Sequence, residues 1–228
     1  MSILLFSGLY GFRLLGGLCL QTYFDPDEYW QCIEPAAKLA FGQGALTWEW
    51  RHGVRSWNYP VLFAIAMIAV KRITGLPEQV VVEVVPKALQ ALITATIDYY
   101  TFLLVKKSSP KVAKRALMLS MCSWFMFAYV NRTLSNSLET ALTAAAMYHE
   151  GTVKSVLIAL STIIRPTAIL NWLFVLDVDM LKSLVMPMLT VHFWNALFDS
   201  LFYGELTFVP LNFLLYNLGS AGVSTHFG

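Results

Sequence analysis

Apolar runs long enough to approach or cross a lipid bilayer recur along most of this chain. Residues 3–23, 80–105, 156–178 and 184–202 form such runs, and shorter polar segments separate them. Only 13% of the 228 residues are charged, whereas ordinary soluble domains carry about 25%. So little charge cannot cover a water-exposed surface. The sequence therefore predicts an all-α, polytopic transmembrane helical bundle.

The distribution of basic residues predicts which side of the membrane each loop faces. Segment 106–115 holds five Lys or Arg residues and is therefore placed in the cytosol. Segment 24–59 has more acidic than basic residues and is rich in Trp, so it is placed on the opposite side as the first lumenal loop, with short interfacial helices. The run at 60–72 is shorter than a span of roughly 20 residues, and we expect it not to cross completely.

A proline predicts a break in a later apolar run. The pair Arg165-Pro166 interrupts residues 156–178, and we expect a break near the lumenal surface with a short helix on each side. Six to eight spanning segments are expected in a single domain, residues 1–228. The apolar N-terminus lacks a basic n-region, so we expect it to remain as the first membrane helix.

Charge and residue spacing argue against a nucleic-acid-binding, metal-binding or redox protein. The net charge is only +2, and no clustered basic face suggests a nucleic-acid partner. The cysteines have no metal or redox spacing, and the histidines form no metal constellation. We therefore predict no metal, no cofactor and no nucleic-acid partner. The scattered histidines are His52, His149, His192 and His226.

An acidic segment follows the first apolar run. Asp25 is a predicted helix cap and Pro26 the first helical residue. The predicted helix covers 27–41 along the membrane surface and ends at Gly42 or Gly44.

Two carboxylates at the start of this helix are candidates for chemistry. Asp27 and Glu28 are placed to act as a general base or as metal ligands in a lumenal cleft. The alternative is an ordinary acidic helix N-terminus, which the helix dipole favours.

Two further segments are candidate binding sites. One combines aromatic and charged residues, and the other places an arginine within an apolar run. Trp48, Glu49 and Arg55 are typical of sugar binding, where rings stack on C–H faces and charged groups bind hydroxyls. The alternative is an aromatic belt at the membrane interface. Arg165 fits phosphate binding, or it snorkels to the interface beside the helix break.

The polar segment 131–140 is a candidate wall of the same cleft. Arg132 and Glu139 would then point inward; the alternative is a plain loop with a helix cap. The remaining intramembrane polar residues are interpreted as structural. These are the Glu83–Lys87 helical pair, Asp98, and a buried polar contact among His192, Asn195 and Asp199.

Five motifs in this order resemble the family 22 glycosyltransferases of the GT-C superfamily, and within them the branch that builds GPI anchors. The likeness covers about residues 22–224. The motifs are 26–31 (PDEYWQ), 46–50 (LTWEW) with Arg55-Ser56 and Tyr59-Pro60, 122–125 with 132–140, 163–168 (IIRPTA), and Asp199 with 202–204, 212–213 and 216–217.

The resemblance implies a multi-pass enzyme of the endoplasmic reticulum membrane with a lumenal active site. The donor would be dolichyl-phosphate mannose, and the acceptor a GPI lipid that receives its third mannose in α-1,2 linkage with inversion. The family's catalytic acid falls on Asp27, with Glu28 as its neighbour or substitute. Arg165 or Arg132 would bind the leaving phosphate.

Other readings stay open at this point. A sister mannosyltransferase would add the fourth GPI mannose or act on a dolichol-linked oligosaccharide. A non-catalytic membrane subunit and a transporter are further alternatives. Family members generally continue well past the length of this chain, which leaves open whether residues 1–228 are self-sufficient.

Overall fold

The computed structural model describes residues 2–175 and 177–218, and these residues form helices and turns without a β-strand. The all-α prediction is confirmed for this part of the chain; the last ten residues of the predicted domain, with His226, lie outside it. The α-helices are α1 (Ser2–Cys19), α2 (Glu34–Phe41), α3 (Trp48–Arg51), α4 (Asn58–Thr74), α5 (Glu78–Ser108), α6 (Ala113–Cys122), α7 (Ser135–Tyr148), α8 (Gly151–Ile164), α9 (Val178–Tyr203) and α10 (Val209–Leu218).

Helix α5 is the centre of the fold. It packs against α1, α4, α6 and α7. It is also the one helix among the described residues that is long and apolar enough to cross a bilayer, while 3–19 and 151–164 form shorter apolar helices. The predicted count of six to eight spanning segments therefore stays a prediction.

A buried ion pair joins α1 to α5. Arg13 Nε lies 2.7 Å from Asp98 Oδ2, and both side chains are almost completely buried. The second carboxylate oxygen accepts from Arg13 Nη2 at 3.0 Å and from the Ser120 hydroxyl of α6 at 2.6 Å. Three helices are thus fixed to one another at this level, in agreement with a structural interpretation of Asp98.

Helix α4 runs back along the N-terminal half of α5. Near its start the Tyr59 hydroxyl donates to Gln90 Oε1 at 3.3 Å, and near its end Lys71 Nζ donates to the Leu76 carbonyl at 2.8 Å. Phe63 and Met67 are fully buried on its inner face and belong to the same buried cluster as Val81 and Val85 of α5.

The predicted helix at 27–41 is confirmed, although one turn near its start has π-helical rather than α-helical hydrogen bonding. Residues 27–28 are α-helical, Tyr29–Ile33 form a π-helical turn, and α2 completes the helix. Gly42 ends it in the left-handed conformation, with φ of 74°. Gly44 lies in the turn that follows. A Cβ added to Gly44 would lie 2.3 Å from the Glu34 carbonyl oxygen, so this turn requires glycine.

The predicted break at Arg165-Pro166 is also confirmed. Helix α8 ends at Ile164, Arg165 is extended, and a 3₁₀ helix covers Pro166–Trp172. Proline cannot continue the hydrogen-bond ladder of an α-helix, and it disfavours helical geometry in the residue before it. The lumenal position of this break stays a prediction.

Candidate active site

Asp27 lies in the first turn of the 27–41 helix, where Asp25 fixes the local geometry. The Asp25 side chain accepts a hydrogen bond from the Asp27 amide at 3.0 Å, as expected of a helix cap. The Asp27 side chain is half-buried, and its carboxylate has no hydrogen bond or ion pair among the described residues. It is therefore available to accept a proton from a bound hydroxyl.

The charges around Asp27 come from the neighbouring Asp25 and from two other segments, the one with Glu49 and Arg55 and the break at Arg165. Burial raises the pKa of the Asp27 carboxyl, and so do the negative charges of Asp25 and Glu49. The guanidinium groups of Arg55 and Arg165 lower the same pKa. The fold thus brings together four of the predicted site residues, Asp27, Glu49, Arg55 and Arg165, although they are far apart in sequence.

Glu28 lies beside Asp27 but is bonded in a quite different way. It is buried, and its Oε1 atom accepts from the Phe24 and Asp25 amides at 2.8 and 3.1 Å. With the Asp25 cap this forms a capping box. Arg132 Nη1 lies 3.2 Å from each Glu28 carboxylate oxygen. Arg132 also donates to the Ala128 carbonyl at 2.6 Å and to the Thr22 carbonyl.

Glu49 and Arg55 form a second ion pair near Asp27. Arg55 Nη2 and Nε donate to Glu49 Oε1 at 2.7 and 3.0 Å. Both side chains stay partly exposed, so the pair can contact a ligand. The predicted sugar-binding Trp48 stacks on Tyr216 with ring centroids 4.7 Å apart, and Trp50 is buried with its indole N–H donating to the Trp30 carbonyl at 2.9 Å.

A buried carboxylate on α9 anchors the loop that carries Arg55. Asp199 is fully buried. Its Oδ1 accepts from the Trp57 amide at 2.8 Å and from the Ser56 hydroxyl at 3.1 Å, and its Oδ2 accepts from Asn195 at 3.0 Å. The Tyr203 hydroxyl donates to the Arg55 carbonyl at 2.6 Å. The polar contact between Asn195 and Asp199 is confirmed.

Nothing in the sequence indicated that Asp199 would bond to Ser56 and Trp57. The spacing of four residues between Asn195 and Asp199 indicates a shared helix face, but it says nothing about the loop at 55–57. His192 instead lies 3.0 Å from the Thr162 hydroxyl of α8.

Arg165 approaches the site from the break after α8. Its Nη1 donates to the Asn136 side chain, and Glu139 lies near enough to act on its charge. Glu139 itself accepts from Asn171 Nδ2 at 2.7 Å. The predicted polar wall at 131–140 therefore divides into two parts, since Arg132 contacts Glu28 while Asn136 and Glu139 face Arg165.

Metal ligands do not gather at this site. Within residues 2–175 and 177–218, no group of three or more His, Cys, Asp or Glu side chains could hold a metal ion. The expected absence of a metal stays a prediction.

Comparison with known proteins decides the family. The model of the Alg9-like mannosyltransferase family matches residues 4–228. The chain belongs to the Alg9-like mannosyltransferase family. This agrees with the cluster of a half-buried carboxylate, two arginines and aromatic rings described above. No solved structure matches the chain.

Individual members of the Alg9-like family are similar over most of this chain. "Mannosyltransferase APTG1" of Arabidopsis thaliana is 34% identical over 92% of the chain and 43% of its own length. "GPI alpha-1,2-mannosyltransferase 3" of Danio rerio is 35% identical over 90% of the chain and 42% of its own length. "GPI mannosyltransferase 3" of Yarrowia lipolytica is 36% identical over 91% and 44%. The chain spans less than half the length of these curated relatives.

Proposed function

We propose that this protein is an inverting mannosyltransferase of GPI-anchor synthesis. It moves mannose from dolichyl-phosphate mannose to a GPI-lipid acceptor as the third mannose, in α-1,2 linkage. The observation that carries the proposal is Asp27, a half-buried carboxylate without a partner among the described residues, placed near the guanidinium groups of Arg55 and Arg165. The names of the relatives support the choice of sugar and acceptor.

The chemistry requires one base and one cation. An acceptor hydroxyl oxygen attacks the anomeric carbon of the donor mannose, and its proton passes to the Asp27 carboxylate. The bond from the anomeric carbon to the phosphate oxygen breaks, so that inversion follows and dolichyl phosphate leaves. Arg165, together with Arg55, stabilises the charge that develops on the phosphate. Asp27 then releases its proton to water.

The other site residues hold this arrangement in place. Glu28 and Arg132 are bonded to each other and to backbone groups, so we assign them to positioning Asp27. Glu49 orients Arg55 through the ion pair at 2.7 Å. Trp48 is the ring proposed to contact a sugar.

The membrane orientation is part of the same proposal. At one end of α5, Lys107 pairs with Glu150 at 2.8 Å, and Tyr100 bonds with His149 at 3.2 Å. This end adjoins the basic segment 106–115, which favours the cytosol. Asp27 and its neighbours gather beside the N-terminal half of α5, and we place this side in the lumen of the endoplasmic reticulum. The exposed apolar side chains of α1 and α9 support contact with membrane lipids and a multi-pass bundle.

An apolar groove offers a place for the lipid chain of the donor. It lies between α8 and α9 and has a volume of about 670 Å³. Asn58 and Asn195 line it close to the Asp199 anchor, so a chain in the groove would direct its phosphate toward the loop that carries Arg55. The apolar residues that line the groove include Leu160, Ile163, Val191, Trp194, Phe198 and Leu201.

A transfer assay tests this function. The chain is expressed in microsomes that lack the endogenous third mannosyltransferase, with labelled dolichyl-phosphate mannose and a two-mannose GPI acceptor. The wild type is expected to form a labelled three-mannose product. Asp27→Asn removes the base and is expected to lose about 10²–10⁴-fold in rate.

The matched control is Asp179→Asn. Asp179 is almost fully exposed at the start of α9, and its substitution should leave transfer unchanged. Equal rates in wild type and Asp27→Asn would exclude Asp27 as the base. If the wild type forms no product, the C-terminal part of a relative is added to the chain; continued inactivity would reject the proposed function.

A further inference from the structure

A second cavity is lined by Glu28 but not by Asp27. Its volume is about 410 Å³, within the range of about 300–1,000 Å³ that small-molecule sites occupy. The end of α1, the N-terminal part of α5, the 28–33 segment and the 131–133 turn form its walls. Glu28 and Tyr29 line this cavity, and Asp27 does not. The Glu28–Arg132 ion pair is therefore shared by the wall of this cavity and the support of Asp27.

The charges that line the cavity cancel in pairs. Arg132 Nη1 lies 3.2 Å from Glu28 Oε1, and Lys87 Nζ lies 3.7 Å from Glu83 Oε1. Because each cation already faces a carboxylate, an anionic ligand would find no unpaired positive charge among the lining residues. A neutral ligand fits this balance better than a phosphate.

Uncharged hydrogen-bonding groups complete the lining. The Gln21 and Gln79 amides each supply both donors and acceptors. Asn131 is buried and donates to the Arg13 carbonyl at 2.9 Å, but its Oδ1 atom has no partner among the described residues. Tyr29 contributes a ring that is 42% exposed. Amides together with an exposed ring are suited to a hydroxyl-rich sugar, which needs both hydrogen bonds and a face for its C–H groups.

We propose that this cavity is a subsite for a neutral glycan, namely inner sugars of the acceptor. The assignment to the acceptor rests on the proposed mannosyl transfer, whereas the glycan chemistry rests on the lining alone. A glycan held here lies next to the helical turn that carries Asp27. The subsite would therefore fix the acceptor while its terminal sugar reaches the base.

Direct binding of a soluble disaccharide tests the subsite. The full chain in detergent is titrated with α-mannobiose, and binding is followed by saturation-transfer NMR. Gln79→Ala and Tyr29→Ala are each expected to weaken binding by about five-fold, the effect of one lost hydrogen bond or ring contact. Gln43→Ala is the matched control, because Gln43 bonds to Glu78 at 3.5 Å outside this cavity.

The outcomes separate this proposal from the transfer reaction. Absence of mannobiose binding in the wild type, or equal binding in all variants, overturns the subsite. Displacement of mannobiose by inorganic phosphate at equal concentration overturns its neutral character. The binding assay needs no donor, so a chain that binds mannobiose here and transfers no mannose retains the subsite and loses the proposed function.

Discussion

Two groups of arginine and carboxylate side chains contain the same residue types, but the aspartate carboxylate is bonded in one group and free of partners among the described residues in the other. Between α1 and α5, Asp98 accepts two bonds from Arg13 and one from Ser120, and almost none of the pair is exposed. In the candidate active site, Asp27 is half-exposed and bonded to neither Arg55 nor Arg165. Both carboxylate oxygens of the first group are bonded and closed to a ligand, whereas the carboxylate of Asp27 is free to accept from a substrate.

The same substitution at the two aspartates should separate structure from chemistry. Asp98→Asn leaves the buried charge of Arg13 without its counter-ion, which costs about 3–5 kcal/mol. Asp27→Asn removes a partly desolvated charge with no partner and should change stability by less than about 1 kcal/mol. Thermal unfolding in detergent, followed by Trp fluorescence, measures both. Equal losses of stability would show that Asp98 is no more important for the fold than Asp27.

Loss of the Asp199 anchor on α9 should disturb the group formed by Asp27, Arg55 and Arg165 without removing any of its charges. Asp199→Asn keeps the size of the side chain but replaces one acceptor oxygen with a donor. An amide nitrogen at the Oδ1 position loses the bonds from Ser56 and Trp57, and one at the Oδ2 position loses the bond from Asn195 that orients the side chain. The expected cost in stability is about 1–3 kcal/mol, with reduced mannosyl transfer because Arg55 is no longer fixed. Asp179→Asn in the same helix is the control. Unchanged transfer in Asp199→Asn would show that the anchor does not position Arg55.

The smallest predicted effect is a shift in pH dependence. Asp27 works as a base only when it is deprotonated, so transfer should fall as pH drops through its pKa. Burial raises that pKa, and the acid limb should therefore lie above the usual aspartate value of about 3.9. Arg165 lowers the pKa of Asp27; Arg165→Gln should move the limb upward, by less than about 1 unit because solvent screens the charges.

Arg165→Lys is the control for that shift. It keeps the positive charge, so the acid limb should stay near its wild-type position even if transfer is slower. A limb that does not move in Arg165→Gln would show that Arg165 acts on the substrate alone.

Local signals in the sequence predicted local structure well. Asp25 and Pro26 mark the start of the 27–41 helix, Gly42 ends it, and Pro166 breaks the helix before it. Each of these effects depends on backbone geometry within a few residues. The π-helical turn at Tyr29–Ile33 was not predicted, because no residue type in it specifies the wider turn.

Long-range pairing was beyond sequence reasoning. Arg13 and Asp98 are 85 residues apart, and Ser56 and Asp199 are 143 apart. Each was visible as a polar residue in or beside an apolar run, but the choice of partner depends on how the helices pack. The same limit explains why Asp27 and Glu28, adjacent in sequence, could not be assigned different environments before Arg132 was located.

In the proposed membrane arrangement, the anchor on α9 connects the bilayer to the proposed chemistry. Asp199 and Tyr203 attach the backbone at 55–57 to the last turns of a 26-residue helix, and Trp194 and Phe198 of the same helix line the apolar groove. These residues of α9 all follow Pro187, so an uninterrupted helical segment joins the groove to the anchor. A tilt of α9, imposed by bilayer thickness or by a chain entering the groove, would displace Arg55 relative to Asp27. The hydrogen bonds of Asp199 and Tyr203 would thus make the geometry of the reacting groups depend on the surrounding lipid.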